Sequence, residues 1–224
     1  MVMVKICGLT RESDIESAAE SGADRIGLVV VPASPRAVSI ARAAELSRLI
    51  HRLGAEPWIV ASWSVASGPC VKGLEALVED TPEIAAVQLH GGEAPEDVED
   101  FLEICPDVRI VKALGVGVRE DLDAIELFEA ADEFLLDAKP PRDQPAGAAR
   151  EGGFGVAFDW TILEGFDPRR PWTLSGGLSP ETVAEAVRIT GADAVDVSSG
   201  VEVSPGIKDP ARVRAFIQAA KAAG

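Results

Sequence analysis

Eight short apolar runs alternate with helix-like stretches along the whole chain, and this alternation constrains the fold more than any other feature. The runs fall at residues 2–6, 25–31, 57–65, 85–89, 109–113, 133–137, 172–174 and 194–197. Helical patterns follow them at about 11–21, 40–53, 74–80, 95–104, 119–130, 160–163, 180–190 and 210–223. Apolar runs that are β-branched and not alternating suit strands buried on both faces, as in a parallel sheet covered by helices. Eight such units in 224 residues predict an α/β fold of the closed (βα)8 type, a TIM barrel with eight parallel strands and helices outside, in a single domain spanning 1–224.

Helix punctuation agrees with this reading. Ser179 and Asp209 are N-cap residues, each followed by a proline suited to the first helical position. Thr10 is placed to cap the first helix. Gly22 and Gly191 each close a helix and open the same triplet, Gly-Ala-Asp, before an apolar strand. Such an echo suggests a repeated βα unit. Residues 139–155 form the longest stretch without periodicity, rich in Pro, Gly and Ala; such a loop is either a lid or slack, and its place after the sixth strand favours a lid.

An open doubly wound sheet would more often carry a glycine-rich dinucleotide loop after its first strand. Here that turn reads Cys7-Gly8-Leu9-Thr10, without the G-x-G-x-x-G fingerprint, which argues against a nicotinamide or flavin cofactor. Three cysteines at irregular spacing argue against a disulfide framework or a structural metal site and for a reducing compartment, and the start lacks an export pattern. The expectation is a cytoplasmic protein. No apolar run approaches the ~20 residues needed to cross a bilayer.

The formal charge is −16, so electrostatics oppose nucleic acid and acidic membrane faces as partners. Fifteen of the 21 basic residues are Arg, Tyr is absent, and acids crowd the expected helix surfaces. That balance keeps a protein hydrated in concentrated salt and predicts halophilic adaptation. Oligomeric state is not legible in the outward helix faces.

In a barrel, residues just after each strand share one rim. On that rim fall Cys7, Arg36 in Ser34-Pro35-Arg36, His90, Asp137, Gly176-Gly177 and Ser198-Ser199-Gly200. Each has an ordinary structural explanation as well: a packed thiol, a turn aspartate, a surface arginine, a hydrogen-bonded histidine, glycine turns. As a set they describe chemistry. The first and sixth strands stand nearly opposite, so Cys7 and Asp137 flank one small substrate, the thiolate taking a proton and the carboxylic acid giving one. The loops after strands seven and eight offer backbone N–H groups to a phosphate at Gly176, Gly177, Ser199 and Gly200. Arg36 suits a carboxylate held in bidentate fashion. His51 reads as a favourable charge at a helix C-terminus, and Cys70 and Cys105 as packing residues.

The motifs Lys5-Ile6-Cys7-Gly8-Leu9-Thr10, Ser34-Pro35-Arg36, Val87-Gln88-Leu89-His90-Gly91, Val111-Lys112-Ala113, Leu135-Leu136-Asp137, Ser175-Gly176-Gly177-Leu178 and Val195-Asp196-Val197-Ser198-Ser199-Gly200-Val201-Glu202 stand in one order along the chain. In this the sequence closely resembles the phosphoribosylanthranilate isomerase family of tryptophan biosynthesis. The resemblance implies a cofactor-independent, metal-free Amadori rearrangement, an aldose–ketose isomerisation of a phosphosugar carrying an anthranilate group. It implies Cys7 as general base, Asp137 as general acid, and Arg36, Gln88, His90 and Asp196 as substrate-binding residues. Two places depart from the family pattern: serines and Trp63 at the third strand, and Phe154 in the lid with no lysine after Gly155. Other phosphosugar barrel enzymes, such as an indole-glycerol-phosphate synthase, and a non-catalytic sugar-phosphate-binding relative are the alternatives.

Overall fold

A computed structural model describes residues 1–63, 73–138 and 159–224. Eight parallel strands close into a barrel: β1 (Met3–Cys7), β2 (Arg25–Val29), β3 (Glu56–Ala61), β4 (Ala86–Leu89), β5 (Arg109–Val116), β6 (Glu133–Ala138), β7 (Trp172–Leu174) and β8 (Ala194–Val197). Closure is made by β8 on β1, where Lys5 pairs with Asp196 and Ile6 with Val197. Outside run α1 (Glu12–Glu20), α2 (Ile40–Arg52), α3 (Leu74–Glu79), α4 (Pro95–Ile104), α5 (Val183–Thr190) and α6 (Pro210–Ala223). The fold is the (βα)8 barrel expected from the alternation.

Strand periodicity divides the core in two. Outward residues such as Val4, Ile6, Ile26, Leu28, Ile59, Val87 and Leu136 pack against the helices in one continuous apolar shell. Inward residues fill the barrel with a small apolar cluster, Trp58, Ala86, Val111, Ala113 and Leu135, and with buried polar groups above and below it. At the base, the Arg25 guanidinium grips the Glu133 carboxylate through two bonds of 2.7 and 3.3 Å and lies 4.5 Å from the Trp58 ring centre. Higher up, Lys5 is buried between Gln88 and Asp196.

Several boundaries differ from the sequence reading for identifiable reasons. Thr10 does not cap α1: its hydroxyl donates to Gly206 O at 2.9 Å, and the N-cap is Arg11, whose side chain pairs with Asp14. The stretch 119–130, expected as an α-helix, is a 3-10 helix over Arg119–Leu127. Asp121 accepts from the backbone N–H groups of Gly117 and Val118, which tightens that entry. α5 becomes regular only at Val183, because the Ser179 and Thr182 side chains cross-link the turn before it. Pro180 therefore precedes the helix. Asp209 caps α6 as expected, accepting from Ala211 and Arg212 N–H. Gly22 and Gly191 close α1 and α5 with positive φ, as the repeated triplet predicts.

One element was not foreseen. After β8, β9 (Glu202–Ser204) and β10 (Ile207–Lys208) form an antiparallel hairpin turning at Pro205-Gly206. It returns two charged side chains, Glu202 and Lys208, to the barrel mouth.

Candidate active site

At the carboxyl ends of the strands lies a cavity of about 360 Å³, and every candidate from the sequence reading lines it: Cys7, Arg36, Gln88, His90, Asp137, Gly176, Gly177, Asp196, Ser199 and Gly200. The expected rim is thus a single space, with Cys7 on β1 and Asp137 on β6 both opening into it. Phe154 and the lid expected at 139–155 lie outside the described residues, as does Cys70. Trp63 does not line the cavity. It is buried edge-on against Phe101 of α4, with ring centres 5.1 Å apart, so this departure concerns packing. Cys105 is buried at the end of α4, and His51 stands in the last turn of α2.

Cys7 is buried against Val29 and Val60. Gly27, across from it on β2, is required by close approach: a Cβ there would stand 2.8 Å from the sulfur. Burial pushes the Cys7 thiol above its ordinary pKa, while the Lys5 ammonium pulls the other way.

The floor is a connected polar network. Lys5 Nζ donates to Gln88 Oε1 at 2.9 Å and to Asp196 Oδ1 at 3.0 Å, and Ser175 Oγ donates to Asp196 Oδ2 at 3.3 Å. Gln88 Nε2 then reaches His90 Nδ1 at 2.9 Å, and His90 Nε2 stands 3.6 Å from Asp137 Oδ2. Gln88 and Asp196 are 1% and 5% exposed, so their polar atoms serve this network. His90 and Asp137 are open to the cavity.

Arg36 is clamped from behind. Its Nε and Nη2 each donate to a Glu202 oxygen at 2.7 Å, which leaves the Nη1 protons and the second Nη2 proton outside this pair. Glu202 Oε1 also accepts from Lys208 Nζ at 2.8 Å and Gly206 N at 3.2 Å. Burial opposes the Glu202 charge, but the bonds from Arg36 and Lys208 prevail and hold its carboxyl below the usual range. Sequence reasoning missed Lys5, Glu202 and Lys208 as parts of the site. For Lys5 a signal exists: a charged residue inside an apolar run, two positions before the thiol, must share its face.

Behind the phosphate-type loops, Gly176 has φ +88° and is packed against Ala138 so closely that a Cβ would collide with the Ala138 backbone. Glycine there lets the β7 loop touch the end of β6, next to Asp137. Three cations, Lys5, Arg36 and Lys208, lie around the site, two of them held by Glu202 and one by Asp196. Of these, Arg36 lines the cavity and can meet an anionic group there. A thiol and a carboxyl opening into one cavity with anion-binding groups suit proton removal and delivery on a small anionic substrate. Among the described residues no cluster of His, Cys, Asp or Glu is arranged to hold a metal ion.

Known proteins are similar over the whole length. A family model for N-(5'phosphoribosyl)anthranilate (PRA) isomerase matches residues 4–219. The N-(5'-phosphoribosyl)anthranilate isomerase of Cereibacter sphaeroides is 48% identical over 221 residues, 98% of this chain and 99% of that protein. That of Paracoccus denitrificans is 43% identical over 222 residues, covering 99% and 98%. Among solved structures, phosphoribosyl anthranilate isomerase from Thermotoga maritima superposes with a TM-score of 0.82 at 34% identity, covering 99% of this chain and 100% of that one. A structure of such an isomerase in complex with reduced 1-(o-carboxyphenylamino)-1-deoxyribulose 5-phosphate superposes with a TM-score of 0.79 at 32% identity, covering 99% and 100%.

Proposed function

The chain belongs to the N-(5'-phosphoribosyl)anthranilate isomerase family, and from that premise we propose that Cys7 and Asp137 are the base and acid of its reaction. The activity is the Amadori rearrangement of N-(5'-phosphoribosyl)anthranilate to 1-(2-carboxyphenylamino)-1-deoxyribulose 5-phosphate, an isomerisation in tryptophan biosynthesis. The observation that carries the assignment of roles is the opening of one thiol and one carboxyl, from β1 and β6, into the same cavity.

Asp137, as a carboxylic acid, gives its proton to the furanose ring oxygen. The bond from that oxygen to C1' breaks, and the amine lone pair forms an iminium. Cys7, as thiolate, takes the C2' proton, and the C–H electron pair forms the C1'–C2' double bond of an enolamine. Moving a proton from O2' to C1' then yields the ketone. The iminium supplies the electron sink that makes C2' acidic, so the protein's part is proton transfer and orientation.

Arg36 offers Nη1 and the second Nη2 proton to the anthranilate carboxylate, its Nε edge being held by Glu202. Gly176, Gly177, Ser199 and Gly200 hold the phosphate, and Gln88, His90 and Asp196 form the floor on which the sugar rests. Replacing Cys7 or Asp137 by Ala lowers turnover by ~100-fold or more, followed by loss of substrate fluorescence. Normal turnover in Cys7→Ala overturns the assignment.

The charge of −16 supports halophilic adaptation; melting temperature and activity no higher in molar KCl than in dilute buffer would remove it. A base that must remain a thiol supports a cytoplasmic, reducing location, checked by fractionating cells. One continuous outer apolar shell supports a single domain over 1–224, for which calorimetry should show one cooperative transition.

A further inference from the structure

Lys5 lies two residues before Cys7 on β1, so the strand's period of two points both side chains into the barrel. An ammonium has three protons to donate. Two go to Gln88 Oε1 and Asp196 Oδ1, at 2.9 and 3.0 Å, and the ammonium also acts electrostatically on the Cys7 thiol, favouring its ionised form. Nζ stands 5.3 Å from the Trp58 ring centre, which adds a favourable face for a cation. The side chain is fully buried, a costly place for a charge unless the surroundings are built for it. Burial works against the Lys5 charge, but Asp196 and Cys7 outweigh it, so Lys5 remains an ammonium.

We propose that Lys5 is a positioning residue for the reaction: its buried ammonium, locked by Asp196 and Gln88, stabilises the Cys7 thiolate that removes the C2' proton. The resting thiol loses its proton to water. In the step itself the C2'–H bond breaks and an S–H bond forms, while Lys5 keeps all its protons. A donor-only ammonium interacts more strongly with a thiolate than with a thiol, so it lowers the cost of forming the base in an apolar setting.

The other groups around the sulfur do not replace it. From β2 come Gly27 and Val29, and from β3 Val60, none of them charged. Asp196 on β8 opposes the thiolate, and Lys208 of the hairpin favours it. Arg36 also interacts with it, but Arg36 and Lys208 are both paired with Glu202. His90 and Asp137 line the same cavity and face each other at 3.6 Å. Among the charges around the sulfur, Lys5 acts on it most strongly.

The inference rests on Cys7 being the base, and the test separates the two. The rate of Cys7 alkylation by iodoacetamide, read by peptide mass spectrometry, and kcat/KM are measured against pH in wild type, Lys5→Met and Lys5→Arg. In Lys5→Met both the alkylation titration and the rising limb of kcat/KM move to higher pH by about one pH unit or more, whereas Lys5→Arg restores most of that displacement. Alkylation of Lys5→Met with the wild-type pH dependence overturns the proposal. Should Lys5→Met fail to fold, nitrogen-15 NMR of the lysine ammonium groups decides: a signal that shifts as Cys7 titrates in wild type, and stays still in Cys7→Ser, supports the contact, and a still signal in both overturns it. Inactive Cys7→Ala beside an unchanged thiol titration in Lys5→Met removes this inference alone; active Cys7→Ala removes the base assignment.

Discussion

Gln88 and His90 share a 2.9 Å hydrogen bond whose direction is set by Lys5. Lys5 can only donate, so Gln88 must turn its oxygen toward Lys5 and its amide N–H toward His90 Nδ1. His90 Nδ1 is then the acceptor, and a neutral ring carries its proton on Nε2, the atom 3.6 Å from Asp137. The imidazole thereby presents its Nε2–H toward the Asp137 carboxyl.

This fixes a spectroscopic outcome. The chain has two histidines, so a nitrogen-15 spectrum of the imidazoles is simple, and His51→Gln assigns it. At a pH where His90 is neutral it should be in the Nε2–H form, and Gln88→Leu should return it to a mixture. A dominant Nδ1–H form in the wild type contradicts the network.

Glu202 makes its strongest contact with the site through Arg36, which it holds with two bonds, so its replacement should be felt in binding more than in chemistry. In Glu202→Gln one of the two charge-assisted bonds to Arg36 and the pairing with Lys208 are lost. The expected outcome is KM raised about tenfold with kcat within about threefold of wild type, read by steady-state kinetics. An equal fall in kcat with unchanged KM means that Arg36 acts in the transition state instead.

Removing Glu133 leaves the Arg25 guanidinium buried at the barrel base, where both groups are under one-tenth exposed. Thr173 Oγ1, which donates to Glu133 Oε1 at 2.7 Å, also loses its acceptor. Glu133→Ala should lower stability by about 3–5 kcal/mol in urea titration. Replacing Arg25 and Glu133 together by apolar residues of similar volume should recover much of it, because no unpaired charge remains.

Acidification should destabilise the protein through Glu93 and Glu202. Burial opposes both charges, yet Lys112 and the Trp63 and Glu93 backbone hold Glu93 low, as Arg36 and Lys208 hold Glu202 low. A folded-state pKa below the unfolded one gives stability that is complete above the unfolded value and is lost as pH falls through the folded one. The melting temperature should therefore fall from about pH 5 downward, and Glu93→Gln should start lower and fall less. An identical slope in that variant would show that Glu93 is not a source of the acid limb.

Much of the site was legible because strand ends in a closed barrel share a rim. Cys7, His90, Asp137, Gly176 and Gly200 could be placed on it by counting strands, without knowing any distance. The Ser179 and Thr10 caps were misjudged because a hydroxyl has several partners within reach, and the nearer turn or the distant hairpin took it. The β9–β10 hairpin was missed although Pro205-Gly206 marks a turn, since two- and three-residue strands leave no periodicity to read.

The sequence by itself determined the barrel, the rim and the pair of Cys7 and Asp137, because period and punctuation are local properties that repeat along the chain. Only the tertiary structure decided what stands behind each of them. Lys5 meets partners 83 and 191 residues away, and Arg36 meets Glu202 across 166 residues. Those meetings depend on barrel closure and strand register, which bring polar groups into a dry interior where each must find a specific partner. A one-dimensional pattern can mark such a group as misplaced in an apolar run, but it cannot name the partner.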